Sequence, residues 1–318
     1  MITSVITTIN YPTEAVKKIA SITDLIIVSD EKTPKDWFHK TSRFIGTGCK
    51  KEFAPYNHYA RKNLGYLAAI ANGSQVIYDT DDDNMPNENW KQRTVEVEAI
   101  ESAGSGWYNV YNIFTQSNIW PRGLSLNHVK NLPLIGSSRK PFTSSIQQGL
   151  SDGEPDVDAI YRFVNNNKNT FSVNESVYLK PGAWCPFNSQ STWWFPKAYP
   201  LMYLPVTASF RMTDIWRSFV AQRCLWEMGE GVTFHSPAEV YQDRNEHDLL
   251  KDFEDEIPGY LLNDKIVKIL QELKLNGDVF ENMKDCYLEL IDNNIMPLKE
   301  INSLNAWIRD LQKIYANS

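Results

Sequence analysis

The chain has 318 residues, of which 42% are hydrophobic and 22% are charged, as expected for a soluble globular protein with one large α/β domain and an appendage. Its formal net charge of −7 argues against a nucleic-acid-binding surface, which would be basic. No apolar run approaches the roughly 18 residues of a membrane span, so the sequence predicts no transmembrane segment.

The cysteines and the first residues predict the compartment. The four cysteines show neither a CxxC pair nor a zinc-binding spacing, which indicates buried thiols in a reducing environment, with one disulfide as the alternative. The first ten residues have the pattern of a strand and lack the basic stretch of a secretory signal. We therefore expect a soluble, cytoplasmic protein.

The first 80 residues alternate between strand and helix patterns. Residues 2–9 and 25–28 are apolar, β-branched runs, and residues 13–22 between them carry a helical stripe. Residues 59–72 form the clearest early helix, and residues 75–78 form the next strand. This alternation predicts a parallel sheet with right-handed crossovers, whose ligand site lies at the carboxyl ends of the strands.

The strand at 75–78 runs directly into four carboxylates, Asp79, Asp81, Asp82 and Asp83. Like charges at this spacing repel, and a hard divalent cation relieves the repulsion because it prefers carboxylate oxygens. We predict a site for Mn²⁺ or Mg²⁺ formed by an Asp-x-Asp motif, Asp81 and Asp83, with Asp82 close by. A register that pairs Asp79 with Asp81, and a plain acidic turn, are the alternatives.

The rest of the chain divides into a loop-rich middle and a helical end. Residues 107–205 are richer in Asn, Ser, Pro and Gly, and their strands are short. A long amphipathic helix follows at 214–228, and a short strand at 232–234 leads to His235. Three helical stripes then run from about residue 248, which predicts an α/β domain over 1–245 and a helical segment over 246–318. The stripes indicate packing faces, with oligomerisation through these helices as the alternative.

Several motifs resemble the STELLO family of glycosyltransferase-like proteins. In family order, they are residues 55–66 (PYNHYARKNLGY), 77–84 (IYDTDDDN), 120–124 (WPRGL), 146–150 (IQQGL), 155–158 (PDVD) and 214–218 (DIWRS), followed by 222–223 (QR) and 225–227 (LWE). A weaker likeness connects the acidic strand end, 155–158, Asp214 with Trp216, and His235 with Ser236 to the reversibly glycosylated polypeptides, which are UDP-arabinose mutases. Both likenesses imply an α/β fold of the GT-A type, a Rossmann-like mixed sheet that binds a nucleotide sugar, here with a helical C-terminal segment. STELLO proteins are anchored in the Golgi membrane, and this sequence shows no such anchor.

The resemblance to GT-A enzymes implies roles for the donor-binding residues. Asp81 faces the ribose and the waters of the metal, Asp83 contacts the metal, and His235, at the end of its strand, is the third metal ligand. A core or surface histidine is the alternative for His235, although imidazole suits Mn²⁺ better than Mg²⁺. The remaining expected nucleotide-sugar contacts are Thr8, Asn10, Asp30, Arg61 and Asp82.

Inverting transfer also needs a general base that takes the proton of the acceptor hydroxyl. The resemblance assigns this role to Asp214, which opens the long helix, where an acid is also favoured by the helix dipole. Asp156 and Asp158 are the other candidates, and we expect them to bind the acceptor together with Trp120, Arg122 and Asn188. Trp184, Trp193 and Trp194 are further candidates for sugar platforms, or else core residues.

The sequence therefore predicts a metal-dependent, inverting glycosyltransferase that moves a sugar from a UDP-sugar donor to a hydroxyl of a glycan acceptor. One alternative is a UDP-sugar mutase, which needs a group that holds the glycosyl unit, an arginine in those mutases, for which the sequence offers no clear match. The other is a non-catalytic assembly factor that retains the fold, against which the intact Asp81–Asp83 cluster and Asp214 argue.

Overall fold

A computed structural model of the protein describes residues 1–40, 42–165, 167–243 and 248–317. Its strands are β1 Ile2–Thr8, β2 Asp24–Ser29, β3 Ser42–Ile45, β4 Val76–Thr80, β5 Met85–Pro86, β6 Glu96–Ser102, β7 Gly106–Trp107, β8 Ile135–Thr143, β9 Ile146–Gln148, β10 Ser151–Gly153, β11 Ser176–Leu179, β12 Ala183–Trp184, β13 Ser191–Trp194, β14 Val232–His235 and β15 Val240–Gln242. Its helices are α1 Glu14–Ile22, α2 Asn63–Ala71, α3 Tyr111–Phe114, α4 Ala159–Val164, α5 Thr213–Glu227, α6 Leu249–Glu272, α7 Val279–Asp292 and α8 Glu300–Ala316. Short 3₁₀ turns precede α2 at Tyr59–Lys62 and α5 at Phe210–Met212.

The main sheet of the described residues has ten strands in the order β3-β2-β1-β4-β13-β9-β14-β11-β6-β8. Strands β3, β2, β1 and β4 are mutually parallel, as the strand–helix alternation predicted. Strand β13 then pairs antiparallel with β4 and makes the sheet mixed. The carboxyl ends of β1, β2 and β4 consequently meet at one edge of the sheet, where α/β folds bind ligands.

Helix α2 lies unusually close to this parallel part of the sheet because it contains Gly65. A Cβ atom at this position would come within 2.7 Å of a methyl group of Val28 on β2 and still closer to Val5 on β1. The absence of a side chain lets the helix approach the strands. This approach brings the Tyr59–Lys62 turn, which leads into α2, to the carboxyl end of β4.

The C-terminal helices pack on the body of the fold through the apolar stripes recognised in the sequence. Ile266 of α6, Tyr287 of α7 and Trp307 of α8 are fully buried, in the same apolar cluster as Phe219 of α5. Because these stripes are covered within the chain, a role for them in oligomerisation is not supported. The predicted α/β class, with a mixed sheet and a helical C-terminal segment, is confirmed.

The predicted boundary between residues 245 and 246 lies outside the described residues, so the division into two domains stays a prediction. Helix α6 begins at Leu249 and is capped by Asp248, whose side chain accepts a hydrogen bond from the Lys251 amide. In the part of the chain that the structure describes, no helix combines the length and the apolar character needed to cross a membrane.

Candidate functional site

A cavity of about 430 Å³ opens at the carboxyl ends of β1, β2 and β4. One group of lining residues, which we call the strand-end wall, lies at or just after the ends of these strands: Thr8, Asn10, Asp30, Asp81, Asp82 and Asp83. A second group of lining residues, which we call the arginine wall, contains Arg122, Asp156, Arg162, Phe210, Arg211 and Asp214. Ten of the fourteen residues proposed from the sequence as site residues line this cavity: these six of the strand-end wall together with Arg122, Asp156, Asn188 and Asp214.

Asp81 is held at the cavity by the turn that precedes α2. One of its carboxylate oxygens accepts hydrogen bonds from the Tyr59 hydroxyl at 2.7 Å and from Lys62 Nζ at 3.0 Å. Burial raises the pKa of Asp81 to about 7 against the opposing charge of Lys62, and the nearby carboxylate of Asp83 adds to the rise. Negative charge at this position therefore has only part of the compensation that it needs.

Asp79 points away from the cavity into the core. Its two oxygens form ion pairs with Lys62 Nζ at 2.8 Å and with Arg217 Nη1 at 3.0 Å, and all three side chains are buried. Through these two buried partners, Asp79 braces β4 against the Tyr59–Lys62 turn and α5. The register that pairs Asp79 with Asp81 as metal ligands is therefore not supported by this arrangement.

Asp82 and Asp83 are held by separate neighbours. One oxygen of Asp82 accepts hydrogen bonds from the Thr8 hydroxyl and from the Asn10 side-chain amide at 3.1 Å, which joins the ends of β1 and β4. Asp83 accepts a hydrogen bond from the side-chain amide of Gln242 at 2.6 Å, at the end of β15. The three successive carboxylates thus face the cavity from three differently supported positions.

The charges of the strand-end wall fit a divalent cation. Four carboxylates belong to this wall, Asp30 and the three that follow β4; Lys32 also lines the cavity, and Lys62 pairs with Asp81. No cluster of three or more His, Cys, Asp or Glu side chains within the described ranges is arranged to hold a metal ion. The residues present thus do not form a complete protein cage for a metal. They fit a Mg²⁺ or Mn²⁺ ion bound by one or two carboxylates, with its other positions taken by water and phosphate oxygens.

His235 is placed elsewhere, which corrects its assignment as a metal ligand. Its Nδ1 lies 2.8 Å from the Ser176 hydroxyl and its Nε2 lies 2.9 Å from the Gln147 side-chain oxygen, so both ring nitrogens are engaged inside the sheet. Burial lowers the pKa of His235 well below its usual value, and the positive charges of Arg93 and Lys91 lower it further. His235 is a neutral core histidine that does not line the cavity.

Arg61 is also displaced from its expected role as a nucleotide ligand. Its side chain is buried and donates to backbone carbonyls of Ser29 at 3.1 Å, Cys49 at 2.8 Å and Ala54 at 3.0 Å, while its guanidinium stacks on Tyr56. Arg61 therefore braces the loop that precedes the Tyr59 turn. The adjacent lysine, Lys62, is the cation that reaches the acidic strand end.

Asp30 is positioned by this braced loop. Its two oxygens accept hydrogen bonds from the backbone amide of Asn57 at 3.0 and 2.9 Å, and one also accepts from the Glu31 amide at 2.6 Å. The positive φ of Asn57, 53°, is compatible with asparagine and turns the loop toward the strand-end wall. Asp30 and Asn57 together give the cavity a polar corner at the end of β2.

An ion-pair network joins Arg122, Asp156 and Asp214 on the arginine wall. Arg122 pairs with both oxygens of Asp156 at 2.8 Å and with both oxygens of Asp214 at 3.0 Å. Burial by itself would raise the pKa of Asp156, but Arg122 and Arg211 outweigh it, and the net pKa is lowered. Asp214 also accepts a hydrogen bond from the Ser189 amide at 3.2 Å, so its carboxylate is oriented from two sides.

Asp158 and Trp120 are structural, contrary to their assignment as acceptor ligands. Asp158 caps α4 by accepting from the Tyr161 amide, and it accepts from the Trp120 indole N–H, both at 2.7 Å. Burial raises the pKa of Asp158 to about 6. Neither residue lines the cavity. Three further tryptophans that were possible sugar platforms, Trp184, Trp193 and Trp194, lie fully buried in the core.

Several cavity residues carry no signal in the sequence. Arg162, Gln190, Phe210, Arg211 and Gln242 line the cavity from turns or short elements without periodicity, and Tyr59 lines it although it had no predicted role at the start of its helix. Asn188, which was predicted, lines the cavity and accepts a hydrogen bond from the Gln190 amide at 2.9 Å. The contact of Lys62 with Asp81 could have been predicted, because Lys62 follows Arg61 directly and stands immediately before α2, the helix that precedes the acidic strand β4. The others become neighbours only through the packing of distant loops.

Comparisons with known proteins agree with the resemblance drawn from the motifs. A model of the STELLO glycosyltransferases matches residues 211–317. Two Arabidopsis thaliana proteins, probable glycosyltransferases STELLO1 and STELLO2, are each 28% identical to the chain over 96% of its length. The chain spans 44% of the length of each, which is less than half. The predicted resemblance to the STELLO glycosyltransferases is therefore confirmed.

Among solved structures, the chain is similar to the mannosyltransferase PcManGT from Pyrobaculum calidifontis, which was solved in complex with GDP-Man and Mn²⁺. The likeness covers the whole of this chain and 75% of that one, with a TM-score of 0.41 and 9% sequence identity. At this level the similarity carries no argument about the site.

Proposed function

We propose that the chain is a divalent-metal-dependent, inverting glycosyltransferase that moves a sugar from a UDP-sugar to a hydroxyl of a glycan. The observation that carries the proposal is the meeting of two charged walls in one cavity. Three successive carboxylates after β4 form one wall, and Asp214, paired with Arg122 at the start of α5, belongs to the other. The similarity to STELLO glycosyltransferases supports the reaction class.

The strand-end wall would bind the donor. Asp81 and Asp83 would hold Mn²⁺ or Mg²⁺, and the bound cation would supply Lewis-acid stabilisation of the diphosphate leaving group. Without such a cation, the carboxylates of this wall would repel a diphosphate. The polar corner of Asp30 and Asn57 and the hydrogen-bonded group of Thr8, Asn10 and Asp82 would contact the uridine.

Asp214 would act as the general base. A carboxylate offers about four lone-pair directions, so pairing with Arg122 and Ser189 leaves room for an acceptor hydroxyl. Arg122 orients the carboxylate, and the position in the first turn of α5 favours negative charge. If the leaving group is held by the strand-end wall and Asp214 activates a hydroxyl that attacks from the opposite face of the sugar, the product would have inverted configuration.

A nucleotide-sugar mutase is the second candidate. The observation in its favour is that three arginines, Arg122, Arg162 and Arg211, line the cavity where the glycosyl unit would lie. A mutase would convert a UDP-sugar into its ring isomer without releasing UDP. Product analysis therefore separates it from a transferase.

The test is an assay of UDP release from a panel of UDP-sugars with Mn²⁺, with and without EDTA, and with NMR of the products. We expect EDTA to stop the reaction reversibly and Asp83→Asn to abolish it, whereas Asp285→Asn, an exposed position on α7, should retain it. Asp83 is half-buried, and asparagine keeps an oxygen that can accept the hydrogen bond from Gln242, so Asp83→Asn should melt close to the parent protein. Full activity in EDTA would refute metal dependence, and an isomerised UDP-sugar without UDP release would favour the mutase.

A further inference from the structure

Arg162 differs from the other arginines of the cavity in how weakly its positive charge is compensated by nearby carboxylates. Its side chain is 8% exposed, it lines the cavity from α4, and its Nε is buried without a hydrogen-bond partner. The nearest carboxylate oxygen, from Glu154, lies 3.9 Å from Nη1, at the outer limit of an ion pair. A guanidinium removed from water normally needs a closer and better aligned anion.

The neighbouring arginines have such partners. Arg122 has four contacts of 2.8 to 3.0 Å with Asp156 and Asp214. Arg211 lies 2.8 Å from an oxygen of Glu256, which is itself fully buried. Among the cavity arginines of the described residues, Arg162 therefore has the charge that is least compensated. Burial lowers the pKa of Arg162, and the positive charge of Arg211 lowers it further.

The surroundings of Arg162 place it with the proposed base rather than with the metal. The charges that act on it are those of Arg211, Asp156, Glu154 and Asp252, all outside the strand-end wall. Asp156 in turn shares Arg122 with Asp214. A ligand bound at Arg162 would thus share the part of the cavity where the acceptor hydroxyl must meet Asp214.

We propose that Arg162 forms an anion subsite and that the acceptor carries a carboxylate or a phosphate group, as an acidic glycan or a sugar phosphate would. This inference rests on the proposed function, because it names the substrate class of that site. A planar guanidinium binds either anion through two parallel N–H groups, and it would supply the partner that Arg162 lacks.

The experiment is calorimetric titration with four probes: trigalacturonate, its neutral analogue trigalactose, glucose 1-phosphate and inorganic phosphate. Wild-type protein and Arg162→Gln are compared, with Arg139→Gln, an exposed arginine on β8, as the matched control. We expect an anionic sugar to bind the wild type and Arg139→Gln alike, and to bind Arg162→Gln at least ten times more weakly. Stronger binding of trigalacturonate than of glucose 1-phosphate would identify a carboxylate as the ligand, and the reverse order a phosphate.

A second titration separates this subsite from the donor site. UDP with Mn²⁺ should bind the wild type and Arg162→Gln with the same affinity within about twofold. If Arg162→Gln weakens UDP binding and leaves the anionic sugars unaffected, Arg162 serves the donor diphosphate and the inference is wrong. If wild-type protein binds charged and neutral sugars equally, it is also wrong. A wild type that binds anionic sugars through Arg162 but never releases UDP from any donor would refute the proposed function alone.

Should Arg162→Gln fail to fold, Arg162→Lys keeps the charge and loses the planar fork. It should bind the anionic sugars with intermediate affinity, since a point charge cannot form the two parallel hydrogen bonds. Wild-type affinity in Arg162→Lys would contradict the guanidinium contact.

Discussion

At the scale of single residues, the carboxylates of this protein differ in what surrounds them. Asp79 has two buried cationic partners and belongs to the core, whereas Asp81, only two positions along the chain, faces the cavity and keeps a raised pKa. Removing one partner of a buried ion pair typically costs about 3–5 kcal/mol, because the other charge is left uncompensated. The aspartate that braces the core and the aspartate proposed to bind the donor are thus only two positions apart.

Asp214→Asn tests the proposed base. The substitution keeps the size and polarity of the side chain but removes its ability to accept a proton, so kcat should fall by roughly 10²–10⁴. The affinity for UDP and Mn²⁺ should stay within about twofold, because Asp214 is not among the residues proposed to hold UDP or the metal. Steady-state kinetics and calorimetry measure the two quantities.

The matched control for Asp214→Asn is Glu14→Gln, an exposed acid in the first turn of α1. It should leave kcat unchanged. Near-normal turnover of Asp214→Asn would move the base to Asp156, the other carboxylate of this wall. A product with retained configuration would remove the need for a base and leave Asp214 a binding role.

At the scale of secondary-structure elements, α5 organises the arginine wall and the core at once. Its first turn presents Asp214 to Arg122, the next turn sends Arg217 to Asp79, and near its end Arg223 donates to the carbonyls of Leu270 and Leu273 at the end of α6. Residues three or four positions apart share a helix face, so Asp214 and Arg217 reach the same region of the sheet edge. The helix therefore connects the site to the C-terminal segment.

The short helix α4 offers a prediction about pH. The pKa of Asp158 is raised to about 6 in the folded protein, above the roughly 3.9 of an unfolded chain. Between these values the folded state binds a proton that the unfolded state does not, so this residue lowers stability as the pH rises from about 4 to about 7. Asp158→Asn cannot titrate, and asparagine remains a good helix cap.

We therefore expect the free energy of unfolding of the wild type, relative to that of Asp158→Asn, to fall by about 1–3 kcal/mol over this pH range. Urea unfolding at pH 4, 5, 6 and 7 measures the difference. The loss of the hydrogen bond from Trp120 lowers the stability of the variant at every pH and leaves the slope unchanged. A difference that is independent of pH would contradict the raised pKa.

At the scale of the whole molecule, the sheet order creates the cavity and the C-terminal helices support it. The ends of the parallel strands β1, β2 and β4 supply the strand-end wall, while α4, α5 with the turn before it, and the segments after α3 and β10 supply the arginine wall. Helices α6 and α7 pack against α5, and α8 packs against α2. Helices α2 and α5, which both begin near the cavity, are therefore held in place by the last 70 residues.

A truncated chain of residues 1–243 tests this dependence and the predicted domain division. Burying each large apolar side chain contributes about 1.5–3 kcal/mol, and the truncation removes Ile266, Leu270, Tyr287, Leu304 and Trp307, all fully buried, from a fold whose total stability is of the order of 5–15 kcal/mol. We expect no cooperative unfolding transition by calorimetry. A truncated chain that melts like the full protein and still binds UDP would instead establish an independent domain.

The local sequence determined the strand–helix alternation of the first 80 residues, the position of the acidic strand end and the helical C-terminal segment. Each of these depends on periodicity or on neighbouring residues, and both are present in the chain before it folds.

Only the tertiary structure decided which charged groups face the cavity. It turned Arg61 onto backbone carbonyls, placed both nitrogens of His235 in hydrogen bonds and made Asp158 a helix cap. It also brought Arg162, Phe210, Arg211 and Gln242 to one cavity from elements far apart in sequence. The physical reason is that the environment of a polar side chain is set by the elements that pack around it, and those partners are mostly distant in the chain.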